Sequence, residues 1–160
     1  MTTDYAAIVA TPLFAIGIAC NDDEITAIDY LPPRRAQRKV APCTPLAHEA
    51  ARQIRAYLDD PRFEFGLPLA IAGTPFQRRV WDRIAQIPSG DTLSYGEVAQ
   101  AIRSGPRAVG NACGANRYCV VIPCHRVLAA HQALGGYGRG GGGDWALAVK
   151  RWLLDHERRQ

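Results

Sequence analysis

Ser94-Tyr95-Gly96-Glu97-Val98-Ala99-Gln100-Ala101-Ile102-Arg103-Ser104-Gly105-Pro106-Arg107-Ala108-Val109-Gly110-Asn111-Ala112-Cys113-Gly114-Ala115 reads as two short helices joined by a tight turn. Ser94 with Glu97 makes a capping box that starts the first helix, and Tyr95, Val98, Ala99 and Ile102 fall on one face. Arg103-Ser104-Gly105 is the turn, and Pro106 opens a second helix to about Ala115. Helices of this length around a Gly-containing turn form a helix-turn-helix candidate, although helical hairpins that bind nothing share the pattern. The second helix is rich in small residues (Ala108, Gly110, Ala112, Gly114, Ala115) with Arg107 in its first turn. Small side chains allow close approach to a nucleic-acid backbone; they equally allow close packing on another helix.

Upstream, Gly73 marks a change of character. Thr74 and Pro75 open a helix in which Phe76, Val80, Ile84 and Ile87 recur on one face, ended by Pro88-Ser89-Gly90-Asp91. Downstream, Cys119-Val120-Val121-Ile122 is a continuous apolar run, read as a buried strand that leads into Pro123-Cys124-His125-Arg126-Val127. A glycine-rich stretch follows through Gly143. Asp144 is expected to cap a final helix ending near Glu157, where Val149, Leu153 and Glu157 share the inward face. A carboxylate there calls for a partner.

The first part of the chain has a different composition. Residues 5–31 read as short apolar strands broken at Asn21-Asp22-Asp23. Residues 32–43, with three prolines, three arginines and a lysine, read as a surface loop. Thr44 caps a helix with Pro45 at its first position, running to about Leu58, and Phe63–Ile71 reads as a further strand. The spacing therefore predicts an α/β unit over 1–72 and a mainly helical one over 73–160. Residues 1–72 carry 7 basic and 9 acidic side chains, whereas 73–160 carry 12 and 6. The formal charge of +4 on 160 residues thus hides a second half at +6, where a polyanionic partner is expected. The apolar run Ala6–Cys20 lacks a preceding Lys or Arg, contains Pro12 and follows Asp4, so buried strands are expected there rather than a leader. No stretch is long enough to span a bilayer, and a cytoplasmic location is expected.

The five cysteines (Cys20, Cys43, Cys113, Cys119, Cys124) are odd in number and include no C-x-x-C pair, which argues against a disulfide framework. Cys20, Cys43 and His48 lack metal-ligand spacing, and no zinc is expected. Cys124 beside His125 is a candidate activated nucleophile, because an imidazole can take the thiol proton and a carboxylate such as Glu157 can orient the imidazole. A small buried core cysteine is the other reading of the same pair.

Ile122-Pro123-Cys124-His125-Arg126-Val127 resembles the active-site motif of the O6-alkylguanine-DNA alkyltransferase family. Five further blocks resemble that family in order. They are Gly73-Thr74-Pro75-Phe76-Gln77 with Val80-Trp81; Ile87-Pro88-Ser89-Gly90-Asp91-Thr92 with Ser94-Tyr95; and Arg107-Ala108-Val109-Gly110 with Asn116. Gly135-Gly136-Tyr137 and Lys150 with Trp152-Leu153-Leu154 complete the set. The resemblance covers roughly residues 73–157. It implies a ribonuclease H-like N-terminal unit with a small antiparallel sheet, and a winged helix-turn-helix-like C-terminal domain.

The resemblance also implies a chemistry: Cys124 takes the alkyl group from O6-alkylguanine, and from O4-alkylthymine, in double-stranded DNA and keeps it as a thioether. His125 would take the thiol proton through a water, with Glu157 polarising it, Asn116 bracing the turn and Tyr95 protonating the leaving guanine. Arg107 would replace a flipped nucleotide in the stack, with Ser94, Tyr95, Ala108, Gly110, Ala112 and Gly114 on the DNA side. Tyr137, Gly138 and the backbone around Val127 would line the base pocket. No cofactor is implied, and a monomer acting once per chain is. Arg117 and Cys119 stand where the family commonly has prolines. Gly138 stands at the usual pocket serine, which predicts a roomy rim. A DNA-binding regulator without chemistry and a cysteine hydrolase are the rivals; Cys124 speaks against the first, Arg107 and the small-residue helix against the second.

Overall fold

A computed structural model describes residues 4–34, 40, 42, 44–135 and 143–158. The chain divides into two compact units, residues 1–71 with 117–119, and residues 72–116 with 120–160. A single cut after residue 72 therefore misses the three residues 117–119, which return to the first unit.

In the first unit, β1 (Ala7–Ala10), β2 (Ala15–Cys20) and β3 (Ile25–Leu31) form an antiparallel sheet in the order β1-β2-β3. Polar turn residues set the register. Thr11 Oγ1 accepts from the Phe14 amide at 3.0 Å, and Asn21 Oδ1 accepts from the Asp23 and Glu24 amides at 2.9 and 2.8 Å. Every residue of β2 up to Ala19 is buried, as a central strand covered on both faces must be. Helix α1 (Pro45–Asp59) is capped by Thr44, whose hydroxyl accepts from the Ala47 amide. It packs on β1 and β2 through Ala47, Ala50, Ala51 and Ile54.

Two expected strands are absent. Residues 63–71 run extended but pair only once, at Leu69 with Ile25. Their main anchor is Gln53, whose amide both donates to the Gly66 carbonyl and accepts from the Gly66 amide. Cys119–Ile122 is a turn, with Val120 at φ 72°; the pairing with β3 is made instead by Tyr118, opposite Ile28. A short apolar run reports burial, and burial does not distinguish a strand from a packed turn.

The second unit is built on three mutually packed helices, α2 (Pro75–Ile84), α3 (Tyr95–Ile102) and α4 (Pro106–Gly114). Capping boxes at Thr74/Gln77 and Ser94/Glu97 start α2 and α3. Ile87 is buried, yet it lies in the turn after α2 rather than within the helix. The helix ends are tied by neighbours: Arg79 donates to the Ile102 carbonyl, and Trp81 Nε1 donates to the Ala112 carbonyl at 2.8 Å. Strands β4 (Leu93–Ser94) and β5 (Val127–Leu128) form one short parallel pair. Helix α5 (Gly143–Arg158) begins one residue before Asp144, the residue expected to cap it. Among the described residues no helix is long and apolar enough to cross a membrane.

Candidate active site

The chain enters the site through Pro123, whose φ of −83° and ψ of 65° close a tight turn in which the Cys124 amide donates to the Ile122 carbonyl at 2.8 Å. Cys124–Arg126 then forms one 3₁₀ turn before β5. The β4–β5 pair brings this turn beside the start of α3, which carries Tyr95.

Cys124 is buried, and Asn116 Nδ2 lies 3.3 Å from its Sγ while donating to the Ile122 carbonyl at 2.8 Å. Asn116 therefore braces both ends of the Pro123 turn and offers a donor to the sulfur. His125 is fully buried, and its Nε2 lies 2.8 Å from Glu157 Oε2. Glu157 reaches this point from α5, on the inward face its spacing predicts. Burial works to raise the Glu157 carboxyl, but hydrogen bonds and charge from His125 and Arg126 outweigh it and hold the group well below the usual carboxylate range. Burial lowers the His125 imidazole below its ordinary value despite Glu157. An ionised carboxylate only accepts, so the neutral imidazole donates Nε2–H to it. The remaining nitrogen, Nδ1, is buried with no hydrogen-bond partner among the described residues.

Tyr95 is half-buried, and burial pushes its phenol up to about 12, with Cys113 and Cys124 adding to the rise. The phenol therefore keeps its proton at neutral pH. Gly135 at φ 68° lies against its ring, where an added Cβ would come within 3.2 Å of the ring edge and 3.4 Å of the hydroxyl. Lys150 is fully buried, donates to the Leu134 carbonyl and sits 5.7 Å over the Tyr95 ring centre. Burial lowers its ammonium to about 8, against the opposing influence of Cys113 and Cys124.

On α4, Arg107 is exposed and shares an outward face with Gly110, Asn111 and Gly114. Ala112 does not belong to that face. It is 2% exposed, because it follows Val109 by three residues and turns inward with it. Ala108 is half-buried, and Ser94 caps α3 by accepting from the Glu97 amide. The Val127 side chain is fully buried, leaving only its backbone for a pocket. Tyr137 and Gly138 lie outside the described residues, as does Cys43.

Three residues, two at the site and one on the outward face of α4, do not stand out in the sequence by their own chemistry. Arg126 donates through Nε and Nη2 to Glu157 at 2.9 and 2.8 Å, and Asn111 lies on the outward face of α4. Lys150 is visible only as part of a motif, yet it precedes Glu157 by seven residues, on the same inward helical face.

The buried imidazole has a stability consequence with a definite sign. His125 stays neutral in the fold while the unfolded chain takes up a proton below about pH 6.5, so stability is full above that pH and declines beneath it. Glu157, also lowered, adds to the loss as pH falls through the ordinary carboxylate range. Denaturant titrations at pH 7 and pH 5 should differ by up to about 1.4 kcal/mol per pH unit per proton; equal stabilities would contradict a neutral buried His125.

Residues 75–159 match the family described as 6-O-methylguanine DNA methyltransferase, DNA binding domain. The constitutive methylated-DNA–protein-cysteine methyltransferase of Bacillus subtilis is 35% identical over 163 residues, covering 97% of this chain and 96% of that protein. A probable methylated-DNA–protein-cysteine methyltransferase of Acanthamoeba polyphaga mimivirus is 45% identical over 95 residues, 58% of this chain and 59% of the viral one. The crystal structure of Mycobacterium tuberculosis OGT in complex with DNA aligns with a TM-score of 0.80 at 34% identity, over 96% of this chain and 92% of that one. On that family match and that identity across nearly its whole length, the chain belongs to the methylated-DNA–protein-cysteine methyltransferase family.

Proposed function

We propose that this protein repairs DNA by moving an alkyl group from O6 of guanine to Cys124. The observation that carries the reading is the buried His125–Glu157 contact at 2.8 Å directly beside Cys124, with Nδ1 of the same imidazole left as an unengaged base. His125 takes the thiol proton through a water, and Asn116 Nδ2 stabilises the resulting sulfur anion. The sulfur attacks the alkyl carbon, forming an S–C bond as the O–C bond breaks. The electron pair leaves on the guanine, which Tyr95 protonates. A thioether is a very poor leaving group, so Cys124 is consumed and each chain acts once. O4-alkylthymine presents the same kind of carbon on an exocyclic oxygen and is a second substrate.

The alkyl carbon in a duplex cannot meet a buried thiol, so the nucleotide must leave the stack. The helix pair α3–α4 acts as a winged helix-turn-helix in the minor groove, and Arg107 fills the gap left by the flipped nucleotide. The first unit, with its small antiparallel sheet and helix, is of the ribonuclease H-like kind. A single copy suffices, because Tyr95, Asn116, Cys124, His125 and Glu157 all come from one unit of one chain.

Support for a close DNA approach comes from two glycines. Among the described residues, a Cβ at Gly114 would meet nothing within 4 Å, and one at Gly110 only the Tyr95 ring at 4.0 Å. Intramolecular packing does not require either glycine, although glycine within a helix is destabilising. Gly110→Ala should therefore stabilise the free protein by about 0.5–1 kcal/mol and yet weaken duplex binding. Paired unfolding and DNA-titration measurements check this; an unchanged affinity would remove α4 from the interface.

The direct test is intact mass after incubation with duplex DNA carrying O6-methylguanine. One added methyl per chain, mapped to Cys124, is the expected result. Unchanged mass with tight binding would make the protein a reader of damage, and repeated turnover would make it a hydrolase.

A further inference from the structure

Arg126 belongs to the Pro123–Val127 motif, but alkyl transfer as described assigns it nothing. A cation on this half of the chain would ordinarily be credited to phosphate binding, and the geometry opposes that. The side chain is only 12% exposed, and three of its donors point inward. Nε reaches Glu157 Oε1 at 2.9 Å, Nη2 reaches Glu157 Oε2 at 2.8 Å, and Nη1 reaches the Ile87 carbonyl at 2.5 Å. Both oxygens of one carboxylate are thus held by a planar fork whose third arm is fixed to the turn after α2.

Glu157 Oε2 is shared between Arg126 Nη2 and His125 Nε2. A guanidinium does not release its proton, so a carboxylate gripped in this way stays ionised whether His125 is charged or neutral. As a pure acceptor it can only receive the Nε2–H of the imidazole, which leaves the lone pair on Nδ1. A carboxylate alone would have a second effect, drawing a proton onto the ring and spoiling it as a base. Burial opposes that attraction most strongly, and the adjacent Arg126 charge adds to the opposition. Among the described residues, the other charged groups that act on His125 are Glu157 and Lys150, both from α5.

We propose that Arg126 is a positioning residue that keeps His125 uncharged with its single proton on Nε2, so that Nδ1 is free to receive the Cys124 thiol proton. This rests on Cys124 being the alkyl acceptor.

The test compares wild type with Arg126→Met and Arg126→Lys by two measurements. The first follows the His125 imidazole nitrogens by NMR on the DNA-free protein as pH is lowered. The second is the single-turnover transfer rate at saturating methylated duplex, across roughly the range in which histidine titrates. In wild type the Nε2–H neutral form should persist across the folded range. In Arg126→Met the midpoint should rise by about one unit or more, and the acid limb of the rate should move with it. The deficit of the variant would then be about tenfold larger at the acid end than at the alkaline end, with DNA half-saturation unchanged. Arg126→Lys keeps the charge without the fork and should fall between the two.

A midpoint no higher than wild type, or the same deficit at every pH, would reduce Arg126 to a clasp for α5 and overturn the proposal. Should Arg126→Met not fold, the same two measurements on Arg126→Lys decide the matter, with a smaller upward shift expected and no shift overturning it. A shifted midpoint in a protein whose wild type transfers no methyl would uphold Arg126 while sinking the alkyl-transfer reading.

Discussion

Cys124→Ala should abolish methyl transfer completely while leaving a folded protein that still binds duplex DNA. The proposed reaction has no alternative acceptor, because in it His125 Nδ1 would only remove a proton and Asn116 Nδ2 would only donate a hydrogen bond. The structural cost of the change is small. Cys124 is a buried but compact side chain, and Asn116 Nδ2 retains the Ile122 carbonyl at 2.8 Å when the sulfur is gone. A loss of about 1–2 kcal/mol is expected, within the ordinary range for a core truncation of this size. Intact mass after prolonged incubation with methylated duplex, together with a denaturant curve, reads both quantities. A variant that still gained a methyl would move the acceptor to another thiol; Cys113, close enough to influence Tyr95 and Lys150, is the first that peptide mapping should inspect.

Glu157→Ala should damage stability and chemistry together. The carboxylate accepts from His125 Nε2 and from two nitrogens of Arg126, at 2.8, 2.9 and 2.8 Å, and it is 1% exposed. Removing it strands a buried guanidinium and a buried imidazole N–H. Breaking one side of a buried pair in this way costs about 3–5 kcal/mol. Transfer should fall by about 10²–10⁴ as well, since the imidazole loses the group that fixes its proton on Nε2. Glu157→Gln separates the two effects. It fills the same volume and offers one acceptor oxygen, so it should recover part of the stability, while the rate stays low because the amide no longer balances Arg126. Chemical denaturation and single-turnover rates are the measurements. A Glu157→Ala protein as stable as wild type would mean that the carboxylate is not the partner these distances describe.

Features governed by neighbours along the chain are legible from the residues. Thr44, Thr74 and Ser94 cap their helices as their spacing predicts, because a cap is a hydrogen bond between residues three apart. The inward face of α5 is legible for the same reason, since helical periodicity puts Val149, Leu153 and Glu157 on one side. Features governed by packing are not. Cys119–Ile122 has the composition of a strand, but the turn there sets the Ile122 carbonyl where Asn116 receives it, and Val120 takes a left-handed conformation. Ala112 is small enough to serve either face of α4. Only its rotation relative to Val109 and the Trp81 bond to its carbonyl put it inside.

By itself the sequence determined which residue types stand together. It placed a thiol next to an imidazole and a guanidinium after a proline turn, ahead of a helix whose inward face carries a carboxylate. It could not determine that the carboxylate meets those groups, 32 residues away in the case of His125. Local rules reach only across a turn or a helical repeat. The distance between Glu157 and His125 depends on how α5 docks, which side-chain packing and the Arg126 bridge to Ile87 decide together. The tertiary structure alone converts an adjacent Cys-His pair into an imidazole with one proton assigned and one nitrogen free.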